Sequence, residues 1–257
     1  MSITVANAEI DAASGVMKNV DQAGADNLKC SVHDPARRAA LTPAYRAGCK
    51  RLVFSMDFYE AIQKPSAELV TSGIERITEN GVLTKDGTEH ELDVLVLATG
   101  FHPDRFVRPA RVLGVDGIDL DEVWKDRPSA YMSVSIPKFP NFFMVNGPNS
   151  PIGNFSLIRI SEFQLGYILQ LMETVRSDRC KAICASEKAT LEFDERRIAA
   201  AAPSIWSTGC NSWYLDKQGI PMSWPWSYNR FAEEMTAPQF SDFELASSQG
   251  LGSGRFF

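Results

Sequence analysis

Five apolar residues, Val94-Leu95-Val96-Leu97-Ala98, run without interruption, and Thr99-Gly100 follows them. A strand apolar on both faces belongs in a layer buried on both faces, as in a parallel sheet covered by helices. The pattern therefore predicts a buried strand over 92–98. Glycine after it lets the backbone turn sharply or be approached closely. Ligands of open α/β sheets sit beyond the carboxyl ends of the strands, which makes Thr99 and Gly100 candidate contacts. Short strands are predicted over 51–55, 68–71, 74–77 and 81–84, with Lys85-Asp86-Gly87-Thr88 as a hairpin turn. Asp34 caps a short helix that has Pro35 at its first position and stops at Thr42-Pro43. A helical turn is expected over 57–62. Residues 102–141 read as loops, and Phe142–Val145 as a second buried strand. A long helix is expected from about Gly153 to Arg176. Its apolar positions Leu157, Ile160, Phe163, Leu165, Ile168, Leu171 and Met172 recur at mixed intervals, which suits packing on more than one side. A strand near 190–193 and an alanine-rich helix over 194–201 follow. The end is aromatic and irregular, and residues 1–29 read as weak helix or disorder. The fold class is α/β.

Composition narrows the partners. The chain has 257 residues and a net charge of −6, which argues against nucleic acid or an anionic membrane as the main partner. No apolar run is long enough to span a bilayer, and the N-terminus has no apolar signal-peptide centre. Five cysteines, Cys30, Cys49, Cys180, Cys184 and Cys210, are scattered and odd in number. That usage predicts reduced thiols and a cytoplasmic location. Cys180 and Cys184 have no accompanying histidine, so no metal site is expected.

Three groups of residues carry candidate chemistry. Lys50 and Arg51 stand before a predicted strand, either as a solvated pair or as an anion contact. Ser150 is placed to cap a helix whose first residue is Pro151, with Asn154 as a later cap. Such a helix start, with Asn149 beside it, points free N–H groups and a positive dipole end outward. Trp206, Trp213, Tyr214, Trp224, Trp226 and Tyr228 form an aromatic group, suited to core packing, to a substrate wall or to stacking on sugars. His33, His90 and His102 show no nucleophile spacing.

Four blocks resemble the Baeyer–Villiger branch of the flavin-containing monooxygenases. They are Asp34-Pro35 through Leu41-Thr42-Pro43 with Gly48-Cys49-Lys50-Arg51; Leu97-Ala98-Thr99-Gly100-Phe101; Pro140-Asn141-Phe142-Phe143 with Gly147-Pro148-Asn149-Ser150; and Asn211-Ser212-Trp213-Tyr214 with Gly219 and Trp224-Pro225. The resemblance extends over residues 30 to 243 and resembles the second half of such an enzyme. It implies a partial two-dinucleotide-domain flavoprotein fold. Residues 1–91 would be a remnant of the NADPH domain. Residues 92–257 would be the C-terminal part of the FAD domain with its aromatic segment. It further implies FAD and NADP as cofactors and a ketone, aldehyde or heteroatom compound as substrate. Arg51 would hold negative charge developing on the activated oxygen, because a guanidinium is always charged and donates from a planar fork. Arg51 would also touch the nicotinamide cofactor, and Lys50 would meet the 2′-phosphate of NADP. Thr99, Gly100, Asn149 and Ser150 would border the flavin, and Trp213, Tyr214 and Trp224 the substrate.

No G-x-G-x-x-G turn occurs in the chain; Gly250-Leu251-Gly252-Ser253-Gly254 reads as a flexible end. The resemblance therefore implies a fragment that works with a complementary N-terminal half or as a homo-oligomer. Two other readings stay open at this point. One is a noncatalytic remnant serving as a binding or scaffold protein. The other is a small-molecule or carbohydrate binder that uses the aromatic group.

Overall fold

The structure, a computed structural model, describes residues 12–151 and 156–247. The chain divides into two compact units. The larger comprises Met1–Asp21, Tyr45–Leu52 and Pro103–Phe257; the smaller comprises Gln22–Ala44 and Val53–His102.

Local signals shape the smaller unit. The second half of α1 (Gly15–Ser31) is followed by α2 (Pro35–Leu41). Asp34 caps α2 by accepting from the Arg37 amide at 2.7 Å, with proline in the first turn as predicted. A single helical turn, α3 (Phe58–Ala61), precedes an antiparallel sheet of β1 (Ile74–Ile77), β2 (Gly81–Thr84) and β3 (Glu89–Glu91) in that order. The Asp86-Gly87 turn joins β2 to β3. Thr84 Oγ1 donates to Asp86 Oδ1 at 2.6 Å, and the Thr88 amide donates to the same oxygen at 3.1 Å. Among the described apolar side chains of this unit, only Leu28, Val32 and Val82 are buried.

The predicted strand over 92–98 is not formed. These residues are irregular and belong to no sheet, and Val94 and Val96 are 75% and 80% exposed. A strand apolar on both faces needs neighbours to take its N–H and C=O groups and layers to cover it. Among the described residues the Leu92 amide alone has a backbone partner, the Asn80 carbonyl at 2.9 Å, at the end of the β2–β3 ladder. Residues 51–55 and 68–71 likewise join no sheet, and every named strand pair is antiparallel, so the expected buried parallel strands are absent among the described residues.

The larger unit holds the cores. Its elements are α4 (Leu120–Val123), α5 (Leu157–Arg176), β4 (Ala182–Ala185), α6 (Glu187–Ala201), α7 (Tyr228–Glu234) and β5 (Phe243–Ala246), with β4 antiparallel to β5. Helix α5 buries one stripe, including Ile160, Tyr167, Ile168 and Leu171, while Leu165, Leu169 and Met172 remain exposed. Packing is thus one-sided. The stripe meets Ile183, Phe193, Trp224 and Phe231 in the main cluster. A second cluster gathers Leu120, Trp124, Ile136, Phe139 and Met144. A third gathers Met17, Ile205, Trp206 and Tyr214, with Ala47 packed against it.

Residues 190–193 are helical rather than extended. Ser186 caps α6 by accepting from the Ala189 amide at 3.1 Å, and Ala189, Phe193, Arg197 and Ala201 recur every four residues on its buried face. That period outweighs the strand preference of Thr190 and Phe193. Residues 142–145 form no strand either; Phe143 makes an isolated bridge to Ser135.

Two cross-links tie the larger unit together. Arg197, fully buried, donates to Asp194 Oδ1 at 2.7 Å and to the Pro221 carbonyl. Arg127 donates to Asp194 Oδ2 at 2.8 Å and to Asp216 at 3.3 Å. Burial pushes the Arg197 guanidinium below its ordinary value, and Asp194 opposes that shift. Cys49 and Cys210 form a disulfide with Cα atoms 5.4 Å apart. This corrects the expectation of five reduced thiols. The two sulfurs meet because Arg46 is bound to Asp21 at 2.9 Å and the Ala47 amide donates to Asp21 at 2.8 Å, which fixes the 45–52 segment. No group of metal-ligating side chains occurs among the described residues, and none of their helices is long and apolar enough to cross a membrane.

Candidate functional site

A cavity of about 140 Å³ in the larger unit is walled by Pro103, Phe106, Pro148, Trp213 and Met222, with the polar groups of Asn146, Asn149 and Ser150 on one side. The loop Asn146–Ser150 is pinned from several directions. At Gly147 a Cβ would lie 2.5 Å from the Ser133 carbonyl oxygen, so only glycine lets the backbone pass. Asn149, with φ +68°, accepts from the Ala130 amide at 3.3 Å and donates to the Met222 carbonyl at 3.1 Å. The Asn146 amide donates to Gln164 Oε1 at 2.7 Å, and its side-chain nitrogen donates to Ser161 Oγ at 2.8 Å. Asn146 Oδ1 is buried and accepts nothing among the described residues. A buried acceptor left unpaired is costly, by roughly 1–3 kcal/mol, and so marks a place where a donor belongs.

Ser150 does not cap the helix. Its hydroxyl meets Gln164 Nε2 at 3.4 Å, and its carbonyl accepts from Ser223 Oγ at 3.3 Å and from the Trp224 amide at 3.4 Å. The cap of α5 is Ser156, whose hydroxyl accepts from the Arg159 amide at 3.4 Å. Asn154 lies outside the described residues, as do the 250–254 tail and the first eleven residues.

The aromatic candidates separate. Trp213 is 42% exposed, lines the cavity and stacks on Tyr214 with centroids 4.2 Å apart. Tyr214 is buried between Trp213 and Trp206. Trp224 is sealed in the main core against Trp226 and Phe231, at 4.6 and 5.0 Å between centroids. Tyr214 and Trp224 are therefore packing residues and not walls. With both rings and Trp206 enclosed, Trp213 is the exposed ring of the group, and Trp226 and Tyr228 are half-buried.

Lys50 and Arg51 are exposed on the 45–52 segment. Lys50 Nζ sits 4.7 Å above the Tyr45 ring, and Arg51 makes no ion pair among the described residues. The disulfide joins Cys49, immediately before them, to Cys210, three residues before Trp213. Thr99 and Gly100 are exposed in the smaller unit; Gly100 has φ +88°, the conformation its glycine permits. Asn146, Phe106 and Met222 were not anticipated. Asn146 lies one residue before the Gly147-Pro148-Asn149-Ser150 block, and only its unpaired oxygen distinguishes it. An apolar cleft with one orphaned acceptor suits the edge of a planar heterocycle that presents an N–H.

No protein-family model matches the chain. An uncharacterized monooxygenase of Mycobacterium tuberculosis is 47% identical over 196 residues, covering 76% of this chain and 40% of the relative. A Baeyer–Villiger monooxygenase of Streptomyces coelicolor is 35% identical over 230 residues, covering 88% of this chain and 44% of the relative. The chain thus spans less than half the length of the curated relatives it matches. Among solved structures, cyclohexanone monooxygenase from Rhodococcus sp. Phi1 bound to NADP+ aligns with TM-score 0.79 and 26% identity, covering 93% of this chain and 47% of that one. An oxidized steroid monooxygenase bound to NADP aligns with TM-score 0.81 and 25% identity, covering 94% and 47%. In sequence and in fold, the chain corresponds to the C-terminal half of a flavin-containing monooxygenase of the Baeyer–Villiger type.

Proposed function

We propose that this region serves an FAD- and NADPH-dependent monooxygenase that inserts one oxygen atom of O₂ into a ketone, an aldehyde or a heteroatom. The observation that carries this reading is the covalent tie between the Lys50-Arg51 segment and the segment supplying Trp213, the exposed aromatic wall of the cavity. FAD and NADPH, when bound, supply the reducing equivalents and the activation of O₂.

The residues present fit one edge of such a ring system. Asn146 Oδ1 is the unpaired acceptor that a ring N–H would satisfy. Asn149 and Ser150 hold the loop against Met222 and Ser223 and keep that oxygen in place. Trp213 and Phe106 give the cleft its apolar walls. Arg51 presents the permanent positive charge that steadies a developing oxygen anion, and Lys50 meets the 2′-phosphate of NADP. Residues 1–91 would serve the nicotinamide nucleotide and residues 92–257 the flavin. In that arrangement segment 92–98 joins a parallel sheet whose carboxyl end places Thr99 and Gly100 at a cofactor. The glycine-rich turns would come from a complementary polypeptide segment.

The test follows product, NADPH and hydrogen peroxide separately in the chain combined with a flavin-binding segment. Arg51→Ala is expected to lower product by about 100-fold or more while NADPH oxidation and peroxide release continue, the scale seen when one oxyanion donor is removed. Arg51→Lys should fail nearly as badly, because an ammonium has no planar fork. Lys50→Ala should raise the KM for NADPH alone. Coupled turnover at the wild-type rate in Arg51→Ala would overturn the assignment.

A further inference from the structure

A second cavity, of about 790 Å³, opens elsewhere in the larger unit between α5, α6, α7 and the turn before β5. It shares no residue with the cleft around Trp213. Its walls carry five carboxylates, Glu192, Glu195, Glu233, Glu234 and Asp242, against the single guanidinium of Arg196. Two of the five are already matched, Glu192 by Lys188 at 3.9 Å and Glu234 by Arg230 at 2.6 Å. Glu195 and Glu233 have no ion-pair partner among the described residues. Arg196 spends its Nε on the Glu192 carbonyl at 3.3 Å and forms no salt bridge among the described residues.

The aromatic side of the same cavity points to what the carboxylates face. Tyr131 donates to Asp242 at 2.5 Å, which leaves its oxygen lone pairs free to accept. Tyr167 is 2% exposed, yet its hydroxyl makes no hydrogen bond among the described residues. Its ring packs on Phe243 at 6.4 Å between centroids, and the small part of it that is open lines this cavity. Burial first, and then the charges of Asp242 and Glu234, push the Tyr167 phenol up, so it stays neutral across the physiological range. A neutral tyrosine hydroxyl that opens on the cavity without a protein partner among the described residues, beside unmatched carboxylates, forms the chemistry that receives an alkylammonium group. The phenol oxygens accept from the ammonium and the carboxylates balance its charge.

We propose that this cavity binds a small aliphatic polyamine. The volume lies within the usual range for pockets that enclose a small organic ligand. A chain with several ammonium groups also matches carboxylates spread over two helices and the turn before β5 better than a single cation does.

Calorimetric titration of the 257-residue chain with spermidine at about 150 mM salt tests this, with 1,8-octanediol as an uncharged probe of similar length. Saturable 1:1 binding of spermidine and none of the diol is expected. The double variant Glu195→Gln/Glu233→Gln should weaken binding at least 10-fold. Tyr167→Phe, which leaves every charge in place, should weaken it about threefold. Both carboxylates are exposed, so circular dichroism of the double variant should match the parent. Absence of saturable binding, equal binding of the diol, or unchanged affinity in either variant would overturn the proposal. If free lysine amide competes with spermidine at equal concentration, the small-molecule assignment also falls, because a protein side chain would then serve as well.

Discussion

In the larger unit Leu171, Phe193 and Trp224 are sealed in one cluster, whereas in the smaller unit Val53, Val94, Val96 and Phe101 stand in solvent. Apolar character does not separate them. Supply of neighbours does. Helices α5 and α6 bring buried stripes, and α7 brings Phe231, to the same place, so each finds a cover. The smaller unit offers three short strands and two short helices besides the end of α1, and β1 itself leaves Ile74 and Ile77 61% exposed. Hydrophobic burial rewards surface removed from water and nothing else, at roughly 25 cal/mol per Å². A run of valine and leucine with no layer against it gains none of that.

The comparison breaks most readily at Asp194. Removing this carboxylate strips Arg197, fully buried, of its ion-pair partner and Arg127 of one of two. Asp194→Ala should cost about 3–5 kcal/mol, the usual penalty for leaving a buried charge unmatched. Urea unfolding followed by tryptophan fluorescence reads this, since Trp224 lies in the core concerned. A loss under about 1 kcal/mol would show that the network is wetter than its geometry.

Paired truncations sharpen the contrast. Leu171→Ala in the main cluster should lose about 2–5 kcal/mol. Val96→Ala should stay within about 0.5 kcal/mol. Equal effects would mean that segment 92–98 is covered in solution. Binding of a hydrophobic dye should fall when Val94 and Val96 are both replaced by lysine, because exposed apolar patches of this kind are what such dyes seek.

The smallest effect is confined to the β2–β3 hairpin. The Thr84 hydroxyl first, and the Thr88 amide second, hold the Asp86 carboxyl down to about 2. A carboxylate depressed by folding stabilises the native hairpin at pH above its unfolded value, near 4. That contribution is lost as pH falls through the folded value near 2. Chemical shifts of Thr84 and Thr88 should therefore move between about pH 4 and pH 2 and stay flat there in Asp86→Asn. A midpoint at the ordinary aspartate value would refute the turn geometry.

What was legible in the sequence was local. Asp34-Pro35 names its own helix start, and Asp86-Gly87 its own turn, because the groups that make the hydrogen bonds lie within three residues of each other. The strand over 92–98 was misread because its formation depends on distant partners that the run itself does not specify. The cap of α5 moved from Ser150 to Ser156 because Gln164 and Ser223 claim Ser150 from remote positions. At the site, the block Gly147–Ser150 and Trp213 were recognisable. Asn146 was not, since an unpaired oxygen is visible only when all its neighbours are in place. The pairing of Cys49 with Cys210, 161 residues apart, has no local trace at all.

That pairing also sets the molecule's covalent topology. Both exposed apolar stretches, around 53–58 and 92–101, lie inside the ring that the disulfide closes. A protease that cuts either stretch would open the ring without dividing the molecule. The Lys50-Arg51 segment and the Trp213 wall would stay joined through sulfur, and only a reductant would let the pieces part.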